Sequence, residues 1–349
     1  MTPINTALLS FGMSGEIFHG PLLEAHQGFN LSTIVQRNSI RATQTYPGVA
    51  VVNSVDQVLK DKTIELVIVN TPNETHFDFA CKVLEAGKHA VVEKPFSVTT
   101  AEADKLIALS KKVKKTLTVF QNRRWDGDFL TVRRILESKM VGQLVEFELH
   151  YDRYRNYIEA NTWKENAAPG TGILYNLGSH MLDQVVVLFG MPLEVDARLG
   201  VQRPLGKVDD FYDIRLQYLG FYVIVKSSYL VREPSPRYII HGTDGSFIKY
   251  GIDPQEQLLK DGKIPGSAGW GIDTKEFWGK LNTTINGLHV EAHIETLPGN
   301  YLLFYDSVYD SIRNGVELVV KPEESRDVIR LIETCVESND KRAATKISN

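Results

Sequence analysis

Near the N-terminus, residues 4–18 have the sequence INTALLSFGMSGEIF. The segment at residues 4–10, with Ile4, Ala7, Leu8 and Leu9, predicts a buried β-strand, and the spacing of an amphipathic helix begins at Glu16. The turn that joins them contains Gly12 and Gly15, at which the backbone can be approached closely. A strand that leads through a short glycine turn directly into a helix is typical of the first βα unit of a parallel sheet.

The same alternation of strand and helix continues to about residue 120. Short runs rich in Val, Ile and Leu predict further strands at residues 31–35, 66–69, 90–92 and 117–120. Helical patterns separate several of them, at residues 16–25, 75–86 and 101–112, and Gly87 stands where a helix C-cap is expected. This order predicts an α/β domain at residues 1–122 with a doubly wound, parallel Rossmann sheet.

The pattern changes after Arg123. One helix is predicted at residues 128–139, followed by longer segments in which apolar and polar residues alternate, separated by turn signals. These segments lie at residues 144–153, 193–201, 212–218, 222–230 and 238–241. They predict an α+β domain at residues 123–349 with a large, mostly antiparallel open sheet and helices at 181–189 and 301–313. A last helix, at about 323–337, can return to pack on the first domain.

The composition narrows the classes of protein and partner. Hydrophobic residues make up 43% and charged residues 23% of the chain, which is typical of a folded soluble protein. The formal net charge of -4 argues against nucleic acid as the main partner. With no apolar run near the roughly 20 residues that span a bilayer and no secretory signal, we expect a cytoplasmic protein. Cys81 and Cys335 form no C-x-x-C motif, so no metal site is expected.

The glycine turn itself indicates a dinucleotide site. Gly12 and Gly15 match the second and third glycines of the G-x-G-x-x-G fingerprint, and Ser10 stands in place of the first. Gly12 lets the backbone approach a pyrophosphate, and the N–H groups of the following helix offer donors to it. A plain turn is the alternative. The residues expected to bind the cofactor here are Gly12, Met13, Ser14, Gly15, Glu16 and Ile17.

The end of the second strand bears on which dinucleotide is bound. An acidic residue there binds the ribose 2′-hydroxyl of NAD, whereas this chain has Gln36-Arg37-Asn38-Ser39. Arg37 can pair with a 2′-phosphate, and Asn38 and Ser39 lie beside it with hydrogen-bonding side chains. The sequence therefore favours NADP, with NAD left open. The alternative is that Arg37 is an ordinary surface arginine.

Two short stretches carry residues that can move a proton. Glu93-Lys94-Pro95 follows a predicted buried strand, at the sheet edge where open α/β sheets bind ligands. A partly desolvated Lys94 can exchange a proton with a substrate hydroxyl, and a structural ion pair with Glu93 is the alternative. In the second stretch, Asn176 and His180 are four residues apart and share a face if the segment is helical. A single histidine in such a segment is more often structural.

Together these motifs resemble the GFO/IDH/MocA family of glucose-fructose oxidoreductase and inositol dehydrogenase enzymes. The residues that carry the resemblance are the glycine turn at Gly12, Asn70-Thr71-Pro72-Asn73 with His76, Glu93-Lys94-Pro95, Gln121-Asn122-Arg123-Arg124-Trp125, Gly178-Ser179-His180 and Val208-Asp209-Asp210. Arg123-Arg124-Trp125, Tyr154-Arg155-Asn156 and the stretch at 175–180 look closest to its NADP-dependent scyllo-inositol dehydrogenase branch.

The resemblance implies hydride transfer between a nicotinamide and a polyol, an inositol or a keto-sugar. Lys94 would hydrogen-bond the reacting oxygen, and His180 would be the principal acid and base. Residues implied to line the cofactor are Asn70, Thr71, Pro72, Asn73, His76, Glu93, Lys94, Pro95, Gln121, Asn122 and Arg123. Residues implied to hold the substrate are Arg124, Trp125, Tyr154, Arg155, Trp163, Tyr175 and Asn176. The open sheet would also serve assembly into a homodimer or homotetramer.

Two departures from the family pattern matter. Ser10 replaces a glycine of the fingerprint, and Asn176 stands where many inositol dehydrogenases have an aspartate. Because an amide does not ionise, Asn176 is expected to position a group rather than to activate His180 by charge. The alternative function is a non-catalytic regulator that senses dinucleotide or sugar, as a galactose-regulon repressor does on this fold. Such a regulator is expected to have lost Lys94 or His180.

Overall fold

The computed structural model describes residues 2–37, 40–160 and 162–347, and the chain divides into two compact units. The first consists of Met1–Trp125, Gln255–Trp270 and Asn300–Arg326, and the second of Asp126–Pro254, Gly271–Gly299 and Asp327–Asn349. The first long segment ends three residues beyond the boundary predicted from the sequence. Residues 255–270 and 300–326, predicted as part of the second domain, lie in the first unit.

The two units together contain ten α-helices within the described residues. In chain order they are α1 Gly20–Ala25, α2 Arg41–Thr45, α3 Val55–Lys60, α4 His76–Glu85, α5 Thr100–Val113, α6 Gly127–Glu137, α7 Ser179–Phe189, α8 Gln255–Lys260, α9 Leu302–Asn314 and α10 Pro322–Lys341. Helix α5 begins with a capping box in which Thr99 accepts the N–H of Glu102, and it ends at Lys114 in the left-handed conformation. Among the helices of the described ranges, none is long and apolar enough to cross a membrane.

The first unit contains a six-stranded parallel sheet in the order β3-β2-β1-β4-β5-β6. Its strands are β1 Ile4–Leu8, β2 Phe29–Val35, β3 Ala50–Val52, β4 Leu66–Val69, β5 His89–Val92 and β6 Leu117–Val119. The strand order reverses between β1 and β4, where ligands bind in doubly wound sheets. The predicted Rossmann fold is confirmed. Strand β3 was not predicted, because its three residues at the sheet edge are half-buried or exposed and form no apolar run.

Helix α9 explains why a late segment of the chain belongs to the first unit. Tyr301, Phe304, Tyr305 and Val308 recur at helical spacing and are almost completely buried, in one hydrophobic cluster with residues of β1, β2 and β4. The ring centroids of Phe120 and Phe304 lie 5.0 Å apart in an edge-to-face arrangement. Burial of this apolar face therefore holds α9 on the first unit.

The second unit contains a nine-stranded sheet in the order β14-β13-β12-β11-β7-β10-β9-β8-β15. Its strands are β7 Leu144–His150, β8 Glu194–Gly200, β9 Phe211–Gln217, β10 Tyr222–Ser228, β11 Tyr238–Gly242, β12 Gly245–Lys249, β13 Gly279–Ile285, β14 Leu288–Ile294 and β15 Thr345–Lys346. The predicted large, mostly antiparallel sheet is confirmed. One pair departs from antiparallel pairing, because β10 runs parallel to β7.

Strands β12 to β14 were missed from the sequence, and helix α10 differs from its prediction. Strands β13 and β14 are joined by Asn286 and Gly287, both at positive φ, which is a strong hairpin signal. Helix α10 begins one residue before its predicted start and continues to Lys341. Only its first turn, up to Arg326, belongs to the first unit, and its remainder belongs to the second.

Candidate functional site

The candidate cofactor residues of the first unit follow the carboxyl ends of four neighbouring parallel strands. The glycine turn follows β1, Asn70 follows β4, Glu93 and Lys94 follow β5, and Gln121 follows β6. Since parallel strands place their carboxyl ends at the same edge of the sheet, these residues share that edge. The structure therefore brings together the motifs that the sequence singled out between residues 10 and 122.

Asn70 holds the glycine turn through two side-chain hydrogen bonds to Ser10. Its side-chain oxygen accepts the N–H of Ser10 at 3.0 Å, and its side-chain nitrogen donates to the Ser10 carbonyl oxygen at 2.8 Å. A Cβ at Gly15 would overlap that carbonyl oxygen and lie 2.8 Å from the Asn70 nitrogen, so residue 15 must be glycine. Both ends of the Asn70 amide therefore hold the turn, and Asn70 contributes to a cofactor site by positioning the backbone.

The glycine turn leaves room for a dinucleotide phosphate. Residues Ser14–His19 form a π-helical turn that continues into α1, and the Glu16 N–H donates back to the Gly12 carbonyl oxygen at 2.9 Å. A Cβ at Gly12 would meet only the Ser10 hydroxyl, at 3.7 Å, and Met13 is 55% exposed. An exposed helix N-terminus with open space above a glycine fits a pyrophosphate. In the described part of the chain, the buried oxygen Oε1 of Gln121 also lacks a hydrogen-bond partner, as expected for a group that awaits a ligand.

The side chain of Glu93 connects this turn to the backbone of Lys94. Its Oε1 accepts a hydrogen bond from the Ser14 hydroxyl at 2.5 Å and lies 3.1 Å from Nε2 of His19, while its Oε2 accepts the Lys94 N–H at 2.9 Å. Burial opposes the charge of this carboxylate, but hydrogen bonding and the charge of His19, with Lys94 and Ser14, outweigh it and lower the pKa of Glu93 to about 2. The Glu93 carboxylate is therefore ionised, and its hydrogen bonds join the glycine turn to the end of β5.

His19 and Tyr305 support Glu93 and were not among the residues singled out from the sequence. The His19 ring is completely buried, and its Nδ1 lies 2.6 Å from the Tyr305 hydroxyl. Because a carboxylate only accepts hydrogen bonds, Nε2 of His19 carries the proton that faces Glu93. A histidine within a predicted helix gives no local signal for this role, since its partner on α9 is 286 residues away.

His76 holds the ends of β4 and β5 together. Its Nδ1 lies 2.8 Å from the Pro95 carbonyl oxygen and its Nε2 2.9 Å from the Thr71 carbonyl oxygen. Burial lowers the pKa of His76, although both carbonyl oxygens and the charge of Glu93 act in the opposite direction. The peptide bond between Lys94 and Pro95 is cis. His76 thus fixes the backbone on either side of the proposed cofactor residues.

Two arginines follow β2, Arg37 after the end of the strand and Arg41 at the first residue of α2. Arg37 is exposed, and Asn38 and Ser39 lie outside the described residues. Arg41, which the sequence analysis did not single out, forms a 2.9 Å ion pair with Glu16 of the glycine-turn helix, and its guanidinium approaches the Phe11 carbonyl oxygen at 3.5 Å. The side chain stays 56% exposed, which leaves a positive charge beside the turn. Both arginines are suited to pair with a phosphate.

Three residues predicted to touch ligand have structural partners within the first unit. Arg123 forms a 2.5 Å ion pair with Glu256, and Arg124 forms a 2.6 Å ion pair with Glu324. The side chain of Trp125 belongs to the hydrophobic cluster, with its ring centroid 5.9 Å from that of Phe304. These side chains fasten the late segments of the chain onto the first unit, a role that depends on partners far away in the sequence.

The candidate acid-base residue of the second unit lies on a buried helix. Residues Leu174–Gly178 form a π-helical turn that continues directly into α7, so Asn176 and His180 lie on one continuous helical segment. The sequence predicts a helix only from residue 181 and leaves the helical conformation of residues 176–180 open. His180 is 6% exposed, whereas Tyr175 and Asn176 are half-buried. The Asn176 side-chain nitrogen approaches the Tyr229 hydroxyl at 3.5 Å, which makes Tyr229 a neighbour that the sequence did not indicate.

Asp209 caps the N-terminus of that helical segment. Its Oδ2 accepts the Leu174 N–H at 2.9 Å, and its carbonyl oxygen accepts the Ile173 N–H at 2.8 Å. Gly172, at a φ of +92°, is required beside it because a Cβ would overlap the Asp209 carboxylate. Burial raises the pKa of Asp209 to about 6, although the Leu174 N–H favours the charged form. The Val208-Asp209-Asp210 motif thus fixes the start of the helix that carries His180.

The other candidate substrate residues lie on the connection between β7 and this helix. Tyr154 pairs with Leu230 in an isolated β-bridge, and its hydroxyl accepts a 2.9 Å hydrogen bond from Arg232. The Arg155 N–H donates to the Tyr229 carbonyl oxygen at 2.7 Å, and its guanidinium lies 5.6 Å from the Tyr229 ring. Trp163 begins a 3-10 turn, Trp163–Glu165. Tyr154, Arg155 and Asn176 therefore converge on Tyr229 and its neighbour Leu230.

Models of one protein family match most of the chain. The NAD-binding Rossmann-fold domain of the GFO/IDH/MocA oxidoreductase family matches residues 4–121. The C-terminal alpha/beta domain of the same family matches residues 133–347.

Similar proteins extend over nearly the whole length. The scyllo-inositol 2-dehydrogenase (NADP(+)) IolW of Bacillus subtilis (strain 168) is 39% identical over 97% of this chain and 94% of its own. The oxidoreductase YdgJ of Escherichia coli (strain K12) is 38% identical over 97% of both chains. The structure of the oxidoreductase yvaA from Bacillus subtilis superposes with a TM-score of 0.96 at 37% identity, over 99% of this chain and 98% of that one. This chain is therefore an oxidoreductase of the GFO/IDH/MocA family, with an NAD-binding Rossmann domain.

Proposed function

We propose that the chain is an NADP-dependent dehydrogenase or reductase that acts on a polyol, an inositol or a keto-sugar. The observation that carries the proposal is Lys94 at the carboxyl end of β5, held there by Glu93, which also binds the glycine turn. A buried His180 in the second unit supplies a second group that can carry a proton near neutral pH. The name of the relative from Bacillus subtilis supports both the cofactor and the substrate class.

In this proposal the protein binds the cofactor at the glycine turn and transfers the proton. The nicotinamide, when bound, accepts or returns the hydride. Lys94 donates a hydrogen bond to the reacting oxygen and stabilises its negative charge as the hydroxyl is oxidised. His180 takes the hydroxyl proton in oxidation and returns it in reduction. Asn176 orients a hydroxyl or the imidazole without changing its charge, since an amide does not ionise.

The preference for NADP rests on charge at the end of β2. Among the described residues, Arg37 and Arg41 carry positive charge in this region. Gln36 is uncharged and so does not repel a 2′-phosphate, as a carboxylate in its place would. The Gln36 side-chain oxygen accepts the Ala42 N–H at 3.0 Å, which joins the residue after β2 to helix α2. Two guanidinium groups near a ribose favour a dianionic phosphate over a neutral hydroxyl.

The test follows the change in absorbance at 340 nm with NADP or NAD and a panel of inositols and aldoses. We expect scyllo-inositol or another polyol to be oxidised with NADP preferred. Lys94→Ala and His180→Ala should each lower kcat by about 10²- to 10⁴-fold, the usual contribution of one acid-base group. Both variants should still bind NADPH, measured by its fluorescence, with little change in Kd. Unchanged turnover in either variant would remove that residue from the mechanism.

The same experiment decides between the enzyme and a regulator. A regulator on this fold would bind NADPH but oxidise or reduce none of the compounds. Tight binding without turnover across the panel, in both directions, would therefore favour the sensing function.

We also propose that the enzyme is a cytoplasmic homodimer or homotetramer. The support is the exposed apolar surface at the β13–β14 hairpin of the large sheet, where Leu288 is 71% and Ile285 41% exposed. Light scattering on the purified protein should give twice or four times the mass of the chain, and a monomer at micromolar concentration would contradict this assembly.

A further inference from the structure

The connection at residues 151–173, between β7 and the helical segment that carries His180, has little regular structure of its own. It contains one isolated bridge, at Tyr154, and the short turn Trp163–Glu165, within the ranges described. Three residues proposed to hold substrate, Tyr154, Arg155 and Trp163, lie on it. A segment with few backbone ladders must be held by side chains if it is to present a binding surface with a fixed shape.

Arg203, on the connection between β8 and β9, supplies such a contact. Its guanidinium donates two hydrogen bonds to the Glu165 carboxylate, at 3.0 and 2.9 Å, and a third to the Tyr157 carbonyl oxygen at 2.8 Å. Its Nε donates to Asp210 at 2.9 Å. The planar fork therefore binds the connection at two points that are eight residues apart, on either side of the loop that leads to Trp163.

The position of Arg203 is itself fixed. Its side chain is 1% exposed, and that of Asp210 is completely buried. Asp210 also accepts the backbone N–H groups of Gln202, at 2.7 Å, and Arg203, at 3.0 Å. The guanidinium carbon lies 4.7 Å from the ring centre of Tyr229, whose hydroxyl neighbours Asn176. The same arginine thus contacts the connection and the residue beside the helix.

We propose that Arg203 is a positioning residue that fixes the connection at Tyr157 and Glu165, so that it can bind substrate. This inference rests on the proposed function, because it assigns the substrate to the connection that Arg203 holds. Arg203 does not touch the reacting atoms. It acts by removing the need for substrate to fix the connection at these two points, a cost that would otherwise weaken binding.

Lysine cannot replace this contact. An ammonium group has no planar fork, so it cannot bind Glu165 with two parallel hydrogen bonds and reach the Tyr157 carbonyl oxygen at once. It does keep the positive charge beside Asp210, so Arg203→Lys separates the loss of geometry from the loss of charge. Arg198→Lys is the matched control, because Arg198 lies near Arg203 in sequence and pairs with Asp196, but its side chain is 50% exposed.

The experiment has two measurements on the full-length protein. Hydrogen exchange, followed by mass spectrometry, reports the protection of amides 157–165 without substrate. Steady-state kinetics with the best polyol of the panel reports KM and kcat. For Arg203→Lys we expect about tenfold or more faster exchange and a KM raised about tenfold or more, with kcat changed less and the Kd of NADPH unchanged. Arg198→Lys should behave like the unchanged protein.

Glu165→Gln provides a second, milder variant in case Arg203→Lys folds poorly. An amide oxygen still accepts one of the two hydrogen bonds, so exchange and KM should change in the same direction by a smaller factor. Unchanged exchange in both variants overturns the proposal. Faster exchange with an unchanged KM also overturns it, because Arg203 would then stabilise the fold without positioning substrate.

Failure of the proposed function gives a different result. In that case the unchanged protein turns over no compound of the panel, and kinetics cannot be compared. The binding of the panel compounds, measured by calorimetry in the presence of NADPH, then replaces KM. Weaker binding to Arg203→Lys with faster exchange supports the positioning role, and equal binding to both proteins overturns it.

Discussion

Glu93→Gln tests how much the charge of the Glu93 carboxylate contributes to the stability of the fold. Glutamine has nearly the shape of glutamate, so the change removes the charge and leaves the packing. The Glu93 carboxylate accepts from the Ser14 hydroxyl, faces the protonated nitrogen of His19 and accepts the Lys94 N–H. All three partners are donors, and an amide nitrogen in place of one oxygen would face a donor. We therefore expect the variant to fold less stably than the unchanged protein.

The magnitude follows from the pKa of Glu93. The three donors and nearby positive charge hold this pKa at about 2 in the folded state, against 4.5 for an ordinary glutamate. A shift of this size corresponds to about 3 kcal/mol of stability in favour of the charged form. Because the folded pKa is the lower one, this contribution is fully present above pH 4.5. It is lost as the pH falls from 4.5 towards 2, by about 1.4 kcal/mol for each pH unit.

Urea unfolding of both proteins between pH 7 and 3.5 measures the difference directly. We expect Glu93→Gln to be less stable by about 3 kcal/mol from pH 7 to 5, and the difference to shrink by about 1.4 kcal/mol by pH 3.5. Glu85→Gln, on the exposed surface of the same unit, should show a small difference throughout. A difference for Glu93→Gln that stays constant down to pH 3.5 would refute the reasoning, because it would show a loss of packing and not of charge.

Three further changes test other contacts of the site. Gly15→Ala forces a Cβ into the Ser10 carbonyl oxygen, so the Kd of NADPH, measured by fluorescence, should rise about tenfold or more through distortion of the turn. Asp209→Asn removes a carboxyl group that burial gives a pKa of about 6 in the folded protein. The protonated carboxyl group stabilises the fold fully below pH 3.8, and this contribution is lost as the pH rises through 6. In urea unfolding, the free energy of unfolding of the variant should therefore rise by about 3 kcal/mol relative to that of the unchanged protein between pH 3.8 and 7. A difference between the two proteins that does not change with pH would contradict this. Arg41→Gln should raise KM for NADP about tenfold and leave KM for NAD nearly unchanged, and an equal effect on both would exclude contact with the 2′-phosphate.

The sequence predicts the elements of the first unit wherever a strand is covered on both faces. Strands β1, β4 and β5 are completely or almost completely buried, and their continuous apolar runs were visible without any structure. Strand β3 lies at the sheet edge and lacks that pattern. The β13–β14 hairpin could have been found, because Asn286-Gly287 between two alternating segments is a sequence signal of its own.

The return of residues 255–270 and 300–326 to the first unit could not be predicted in the same way. The helical period at 301–308 predicts an apolar face but does not say which surface covers it. That surface includes Phe29 and Phe120, and the hydrogen bond between His19 and Tyr305 joins residues 286 positions apart. Contacts of this kind depend on the complete fold, and periodicity within one segment carries no information about them.

For the candidate site, the sequence identified which residues lie there but did not identify the side chains that bond to them. The side chains of Glu93 and Asp209 each accept a hydrogen bond from the first residue of a helical turn, Ser14 and Leu174 respectively, and each holds the element next to a proposed proton-transfer residue. Their pKa values nevertheless move in opposite directions, to about 2 and to about 6. Glu93 accepts from Ser14 and His19 of one helical turn and from the adjacent Lys94 N–H, and the charges of His19 and Lys94 favour its ionised form. Asp209 is bonded to backbone N–H groups and has a like charge beside it at Asp210. Because burial opposes the charge of both carboxylates, the sign of the neighbouring charges decides in which direction each pKa moves. The charge of His19 reaches Glu93 only through the tertiary structure, so a motif can mark a carboxylate but not its charge.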